Sequence, residues 1–390
     1  MLDTHYMFNN IKTEKLIEFC KKEYLRTAPL EIYKIEDGVV LPLKRVDGGP
    51  LFGIGGVLNK GGNYVEESAQ IGKGDTLDRF SGKYEYNTEE EIYDNKQVIY
   101  LGAYPVHWGH FLVDFAHRMW IFLDDKYSDL DIVYCADENV EVSGPQLDFF
   151  ELLGVNAHRL KCIRKPTRFS EILIPEPAYM ACDYYTAKYY DVFKCVVEAA
   201  NRKSHGELYD KIYLSRRHLA KANGTEVGER GIEEAFVQNG YHSIHMESLS
   251  LVEQIQLLSN CKEVAALNGT LCHNYVFASE GTQCIVLNKT GLLNTHQVLI
   301  SKMISPIVYY VDVYKEPFAG FPVSYGHGPF LISKLYLVPF FAENGMLINI
   351  KDYGRLYAIL YLSMCIKMRL IRTCRKLMGM LYRKLISSGK

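Results

Sequence analysis

The chain has 390 residues, 48% hydrophobic and 23% charged, ordinary values for a globular protein long enough to bury two cores. Its 44 basic and 46 acidic residues leave a formal net charge of -2, which removes any global drive toward nucleic acid. The 10 cysteines form no C-x-x-C pair or metal-like cluster, and Cys135 and Cys284 sit in apolar strand patterns, which reads as buried, reduced thiols in a cytosolic protein.

In chain order, residues 9–24 follow a helical period. The rest of the first 95 residues reads as irregular. Between 46 and 74 the glycine pairs Gly48-Gly49, Gly55-Gly56 and Gly61-Gly62 suggest short strands joined by tight turns. From residue 97 a strand–helix alternation begins, with strands at 97–101, 131–135, 160–163 and 171–174 and helices at 108–123, 144–153 and 183–203. The polar run Lys203-Ser204-His205-Gly206 reads as a linker. Strands then follow at 212–214, 242–245, 263–267, 284–287 and 307–313, with helices at 228–239, 251–260 (capped by Ser250), 270–278 and 294–304. Such alternation predicts parallel, doubly wound sheets. The expected fold class is α/β, with two Rossmann-like domains (1–205 and 206–350) facing a cleft and a tail at 351–390.

The tail has no acidic residue after Asp352. Lys367, Arg369, Arg372, Arg375, Lys376, Arg383 and Lys384 interleave with Leu370, Ile371, Cys374, Leu377, Met378, Leu381 and Leu385 at helical spacing. A basic amphipathic helix of this kind binds a membrane surface, packs its apolar stripe back on the protein, or does both in succession. The longest strongly apolar stretch, 357–366, is too short to span a bilayer, and the first residues lack a basic region followed by an apolar core. The expected location is therefore cytoplasmic.

One stripe stands out. On a helix at 108–123, His107, His110, Asp114 and His117 share a face just beyond the end of a strand. Helix propensity does not require three imidazoles and a carboxylate there, and an open α/β sheet places its ligand at that edge. His110 suits a general base, with Asp114 orienting it or serving as the base itself, and His107 as a third choice. A zinc site on His107, His110 and His117 is disfavoured because no acid or Cys completes a familiar ligand set. The D-x-D at Asp129-Leu130-Asp131 reads as a turn leading into a strand, so no metal is expected.

The second unit offers an anion site. Ser215-Arg216-Arg217 follows its first strand, and two guanidinium groups there suit a diphosphate. In the loop Asn268-Gly269-Thr270, Gly269 permits close backbone approach, while Thr270 is expected to cap a helix whose N–H groups attract phosphate. His273 and Asn274 lie in the first turn of that helix. Glu247, after the strand at 242–245, suits ribose hydroxyls.

These segments resemble glycosyltransferase family 61, whose pattern is a strand ending in Ser-Arg-Arg, then Glu-x-Leu-Ser-x-x-Glu-Gln-Ile, then a His-Gly-Ala-Gly-Leu-x-Asn loop. Here Ser215-Arg216-Arg217, the run from Glu247 through Leu249-Ser250 to Glu253-Gln254-Ile255, and Asn268-Gly269-Thr270-Leu271-Cys272-His273-Asn274 carry the likeness. Asn268 stands for the family's His, Thr270 for its Ala and Leu271 for its second Gly. The stretch from His107 to Asp114 is similar to the family's x-His-Trp-x-x-Asp. The resemblance covers roughly 45–315.

The resemblance implies a GT-B-like fold and an inverting transfer from a nucleotide sugar, with 1–205 on the acceptor side and 206–350 holding the donor, expected to be UDP-linked. Arg216, Arg217, Glu247, Asn268, Gly269, Thr270, His273 and Asn274 are then donor-binding. A glycan or lipid-linked acceptor would explain the tail and place the protein on the inner face of the membrane, in surface polysaccharide synthesis such as that of bacterial capsules. Two other readings remain at this point: a nucleotide-sugar epimerase, and a non-catalytic nucleotide-sugar-binding scaffold.

Overall fold

The computed structural model describes residues 5–8, 14–73, 78–204, 206–219, 226–304, 307–350 and 354–387. Residues 9–13 of the expected first helix, and His205 of the linker run, lie outside them; the helix itself is Glu14–Lys21.

The described residues form a mixed α/β protein with two six-stranded sheets. One is entirely parallel, in the order His5–Phe8, Val308–Asp312, Gln283–Asn288, Glu263–Leu267, Lys211–Leu214, His242–Ile244. Its central strands are apolar without alternation: Val264, Ala265, Ala266 and Leu267, and Cys284, Ile285, Val286 and Leu287, are all buried. That is the pattern of a strand covered on both faces. His5–Phe8 pairs with Val308–Asp312, so the first described residues complete the second sheet, not the first.

The other sheet runs Ile54–Leu58, Ile32–Lys44, Thr167–Pro175, Ile92–Ala103, Asp131–Cys135, Leu160–Ile163. Its last four strands are parallel, but Ile32–Lys44 is antiparallel to both neighbours. Here the expectation of a wholly parallel, doubly wound sheet needs correcting. Ile32–Lys44 is interrupted by Glu36, Asp37, Gly38 and Pro42, which read as turn residues. Asp37 does take a left-handed φ of 51°, and pairing with Thr167–Pro175 continues on both sides of it.

The two sheets share one hydrophobic core. Helix Ala187–Asn201, capped by Thr186, buries Tyr189, Val192, Phe193, Val196 and Ala200, an i, i+3, i+4 stripe. The Phe193 ring lies 5.8 Å from both Phe149 and Phe277, linking the helix Pro145–Leu152 of the first half to the second. Burial of three phenylalanines in one cluster stabilises by roughly 1.5–3 kcal/mol per ring.

A three-stranded sheet (Glu226–Val227, Phe330–Ile332, Tyr314–Lys315) carries the tail helix Gly354–Ser387. Tyr361 and Cys365 are buried against Val227 and Phe321, while Leu356, Ile359, Ile366, Leu370 and Leu377 on the outer side are exposed. Among the described residues, no helix is long and apolar enough to cross a membrane.

Candidate active site at the junction of the sheets

In the parallel sheet the chain runs from Lys211–Leu214 outward to the edge strand His242–Ile244, then returns past it to Glu263–Leu267 on the other side. The order reverses between Lys211–Leu214 and Glu263–Leu267, whose ends lead to Arg216 and Gly269. In the mixed sheet it reverses between Ile92–Ala103 and Thr167–Pro175, whose ends lead to His107–Asp114 and Tyr179. A ligand crevice opens at such a switch point.

The two crevices meet. Trp108 Nε1 donates to Asn274 Oδ1 at 2.6 Å, and Tyr179 OH lies 2.8 Å from His296 Nδ1. Gly109 permits this approach: a Cβ there would sit 3.0 Å from Thr270 Oγ1.

The segment expected as one helix over 108–123 is wound in three ways: an α-turn Trp108–His110, a π-helix Phe111–Phe115 and a 3-10 stretch Ala116–Leu123. Within the last stretch Arg118 is fully buried, and its guanidinium donates to the carbonyls of Pro175 at 2.5 Å, Glu67 at 2.8 Å and Ala69 at 2.9 Å. Burial lowers its pKa to about 10.

His110 and Asp114 stay aligned. His110 Nδ1 lies 2.6 Å from Asp114 Oδ2, and Arg79 Nε lies 3.1 Å from the same oxygen. Gln70 donates to the Asp114 carbonyl at 2.6 Å and accepts from the Ala103 N–H at 2.7 Å, which fixes the backbone. Burial alone would raise the Asp114 pKa, but the hydrogen bond to His110 and the nearby His296 and Arg79 hold it well below the usual carboxylate range. Asp114 is therefore ionised, and a carboxylate at this distance favours the His110 tautomer with its proton on Nδ1, leaving Nε2 toward the crevice as the candidate acceptor of a proton. His110 is only part-buried, and its ring sits edge-on to Phe52.

The other imidazoles differ. His107 is exposed at the crevice mouth with its ring 5.2 Å from His110; partial desolvation, then His110 and Arg216, lower its pKa. His117 does not share the open face: it is buried, its pKa lowered by burial to about 3, and it lines a cavity of about 30 Å³ with Asp114, Arg79 and Tyr179. The tight 3-10 winding after Phe115 turns it inward. His273 is buried and lowered to about 3, chiefly by burial. His296 is lowered to about 4 for the same reason. Among the described residues, no group of three or more His, Cys, Asp or Glu side chains is arranged to hold a metal ion.

On the second-sheet side, Arg216 Nε lies 3.0 Å from Glu226 Oε1, and its backbone N–H donates to Glu229 at 2.9 Å. Arg217 turns away to pair with Glu233 at 2.9 Å, so the expected twin guanidinium clamp is not formed. The neighbouring cation is instead Lys289, 2.9 Å from the same Glu226 oxygen. Gly269, not Thr270, is the N-cap of Thr270–His273, with φ 150° and no side-chain cap bond; a Cβ there would sit 3.8 Å from Lys289 Nζ and 4.0 Å from Arg216 Nη1. The carbonyl of Gly269 accepts the His273 N–H, and a β-branched residue would strain this backbone. Asn268 is buried between Asn288 (2.9 Å) and Asn294 (3.1 Å), and Asn294 also lies 3.3 Å from His273 Nε2, so this side chain ties the loop down. Asn274 is occupied by Trp108. Glu247 is exposed beyond the edge strand, 3.9 Å from His245, one strand over from Arg216.

Arg79, Gln70, Tyr179, His296 and Lys289 escaped sequence reasoning. Each comes from a connection far along the chain from its partner, with no local spacing to reveal it. Lys289, directly after the strand Gln283–Asn288, was the most recoverable, since it ends a strand adjacent to the one leading to Gly269.

No curated protein matches the chain significantly. A family model described as Glycosyltransferase 61 matches residues 108–285, which run from Trp108 at the crevice through Arg216 and Gly269. That family is one of transferases, which take a nucleotide-sugar donor and an acceptor. The His110–Asp114 pair and the Arg216–Gly269 corner both lie inside that segment, so the part of the chain that carries the site is similar to glycosyltransferase family 61.

Proposed function

We propose that this glycosyltransferase is inverting, needs no metal, and moves a sugar from a UDP-linked donor to a hydroxyl of a glycan or lipid-linked acceptor in surface polysaccharide synthesis. One observation carries the reading: the His110–Asp114 pair of one sheet faces the Arg216–Gly269 corner of the other across the Trp108–Asn274 bond. This favours a GT-B-like division, residues 1–205 receiving the acceptor and 206–350 the donor.

Inversion is a single displacement. The acceptor oxygen forms its bond to the anomeric carbon as the bond from that carbon to the diphosphate oxygen breaks and the diphosphate leaves with the electron pair. His110 Nε2 takes the acceptor proton, and Asp114 stabilises the imidazolium. Asp114 itself is too weak a base for the task, since its carboxylate is held ionised well below its usual range. Arg216 and the N–H groups after Gly269 stabilise the departing diphosphate, each such donor supplying roughly 3 kcal/mol. The match to a transferase family does not favour the epimerase or scaffold readings.

The tail supports a place on the inner membrane face. It is a cationic helix without acidic residues whose outer apolar side is exposed. The test is to incubate the full chain with a panel of nucleotide sugars, with and without a chelator, and read the anomeric configuration of the product. Product of inverted configuration, unaffected by chelation, is expected. Retention, or complete dependence on a divalent ion, sinks the mechanism.

A further inference from the structure

Arg216 and Lys289 share a single carboxylate oxygen. Glu226 Oε1 lies 3.0 Å from Arg216 Nε and 2.9 Å from Lys289 Nζ. Lys289 and Glu226 side chains are each only 4% exposed, and the Lys289 ammonium sits 4.3 Å from the centre of the Phe330 ring. Two cations thus meet one anion in a dry setting, where an uncompensated charge is costly. Glu229, the next carboxylate, spends an oxygen on the Arg216 N–H, and burial raises its pKa. Arg217 and Glu233 neutralise each other and add nothing. Arg216 and Lys289 both border the space above Gly269, each about 4 Å from where a side chain would begin.

We propose that Lys289 is the second cation of the diphosphate subsite beside Arg216, and that Glu226 is an internal anion with which the ligand's phosphates compete. This rests on the nucleotide-sugar reading of the same site. A phosphate chain carries more negative charge and more acceptor oxygens than a carboxylate, so it takes over both cations, and the Glu226 pairs serve as the resting state of the empty enzyme. Lys, a compact charge with three donors, is able to turn from a carboxylate to a phosphate without the fixed fork of an arginine. A purely structural Glu226, by contrast, holds the two cations in place for the ligand.

The two readings give opposite signs. Binding of inorganic pyrophosphate and of UDP to the full chain is measured by titration calorimetry for the wild type, Lys289→Gln, Lys289→Arg and Glu226→Gln, with unfolding midpoints as a folding control. Lys289→Gln is expected to weaken both ligands at least tenfold and Lys289→Arg to restore most of the loss. Glu226→Gln is expected to tighten pyrophosphate several-fold. If Glu226→Gln weakens pyrophosphate while remaining folded, the competition is wrong. If Lys289→Gln binds both ligands like the wild type, the subsite is wrong and the transferase reading stands. Lys289-dependent pyrophosphate binding in a chain that turns over no nucleotide sugar would leave the subsite standing and remove the transferase reading.

Discussion

Trp108 Nε1 donates to Asn274 Oδ1 at 2.6 Å, a hydrogen bond that joins the turn after strand Ile92–Ala103 to the end of helix Thr270–His273. Asn274 is buried and Trp108 half-buried. Trp108→Phe keeps an aromatic ring beside Phe111 and removes the donor together with part of the ring's volume. A buried acceptor left unpaired costs about 1–3 kcal/mol. Transfer should fall more than nucleotide binding does, because the bond aligns the acceptor side with the donor side. Chemical denaturation and steady-state kinetics on this one variant check both parts.

Asp114→Asn leaves the shape of the site and removes the charge that fixes the His110 tautomer. Transfer is expected to drop about 10²–10⁴-fold, the range for loss of a positioned acid–base group. His110→Gln should cost at least as much. Neither touches the Arg216–Lys289 corner, so UDP affinity should stay within a few-fold of wild type. Full activity in Asp114→Asn would rule out the orienting role.

Acid should destabilise the fold between pH 6.5 and 4. His117, His273 and His296 are held neutral down to about 3, 3 and 4 by burial. In the unfolded chain each takes a proton near pH 6.5. As pH falls through that window the unfolded state binds protons that the native state does not, so stability declines, by at most about 1.4 kcal/mol per pH unit for each histidine. His296→Gln should make the melting temperature less sensitive to pH from 6.5 to 4.5. An unchanged slope would mean that His296 contributes nothing to it.

Deleting residues 373–390 should leave the fold intact, because the buried anchors Tyr361 and Cys365 precede the cut. Arg369 and Arg372, which lie 5.5 and 5.7 Å from the Phe321 ring, also remain. Binding to anionic lipid vesicles should fall, each lost Lys or Arg near the surface removing about 1 kcal/mol. Equal co-sedimentation of the truncated and full chains with such vesicles would remove the tail from the membrane role.

Much of the second half was legible because its signals are local. Glu263–Leu267 and Leu251–Asn260 have the expected bounds, and Ser250 and Glu253 form the reciprocal capping box their spacing announces. The first half was less legible where distant pairing overrides local preference. Ile32–Lys44 looks broken in sequence and is held as a strand by Thr167–Pro175. The stripe at His110 and Asp114 was visible, but the irregular winding was not, nor was the reach of Arg118 to the carbonyls of residues 67, 69 and 175, which no periodicity encodes. Arg216 was visible as a site residue for the same reason that Arg217 misled: adjacent arginines look equivalent until Glu233 on a neighbouring helix claims one of them.

The pairing of His5–Phe8 with Val308–Asp312 has a consequence for biogenesis. During synthesis the amino-terminal segment must wait for roughly 300 residues before its partner emerges from the ribosome. Such non-local parallel contacts form late and slowly. Until they do, Val308–Asp312 presents an open hydrogen-bonding edge, so a bulky fusion placed ahead of residue 5 should favour aggregation during expression over loss of activity in the protein that does fold.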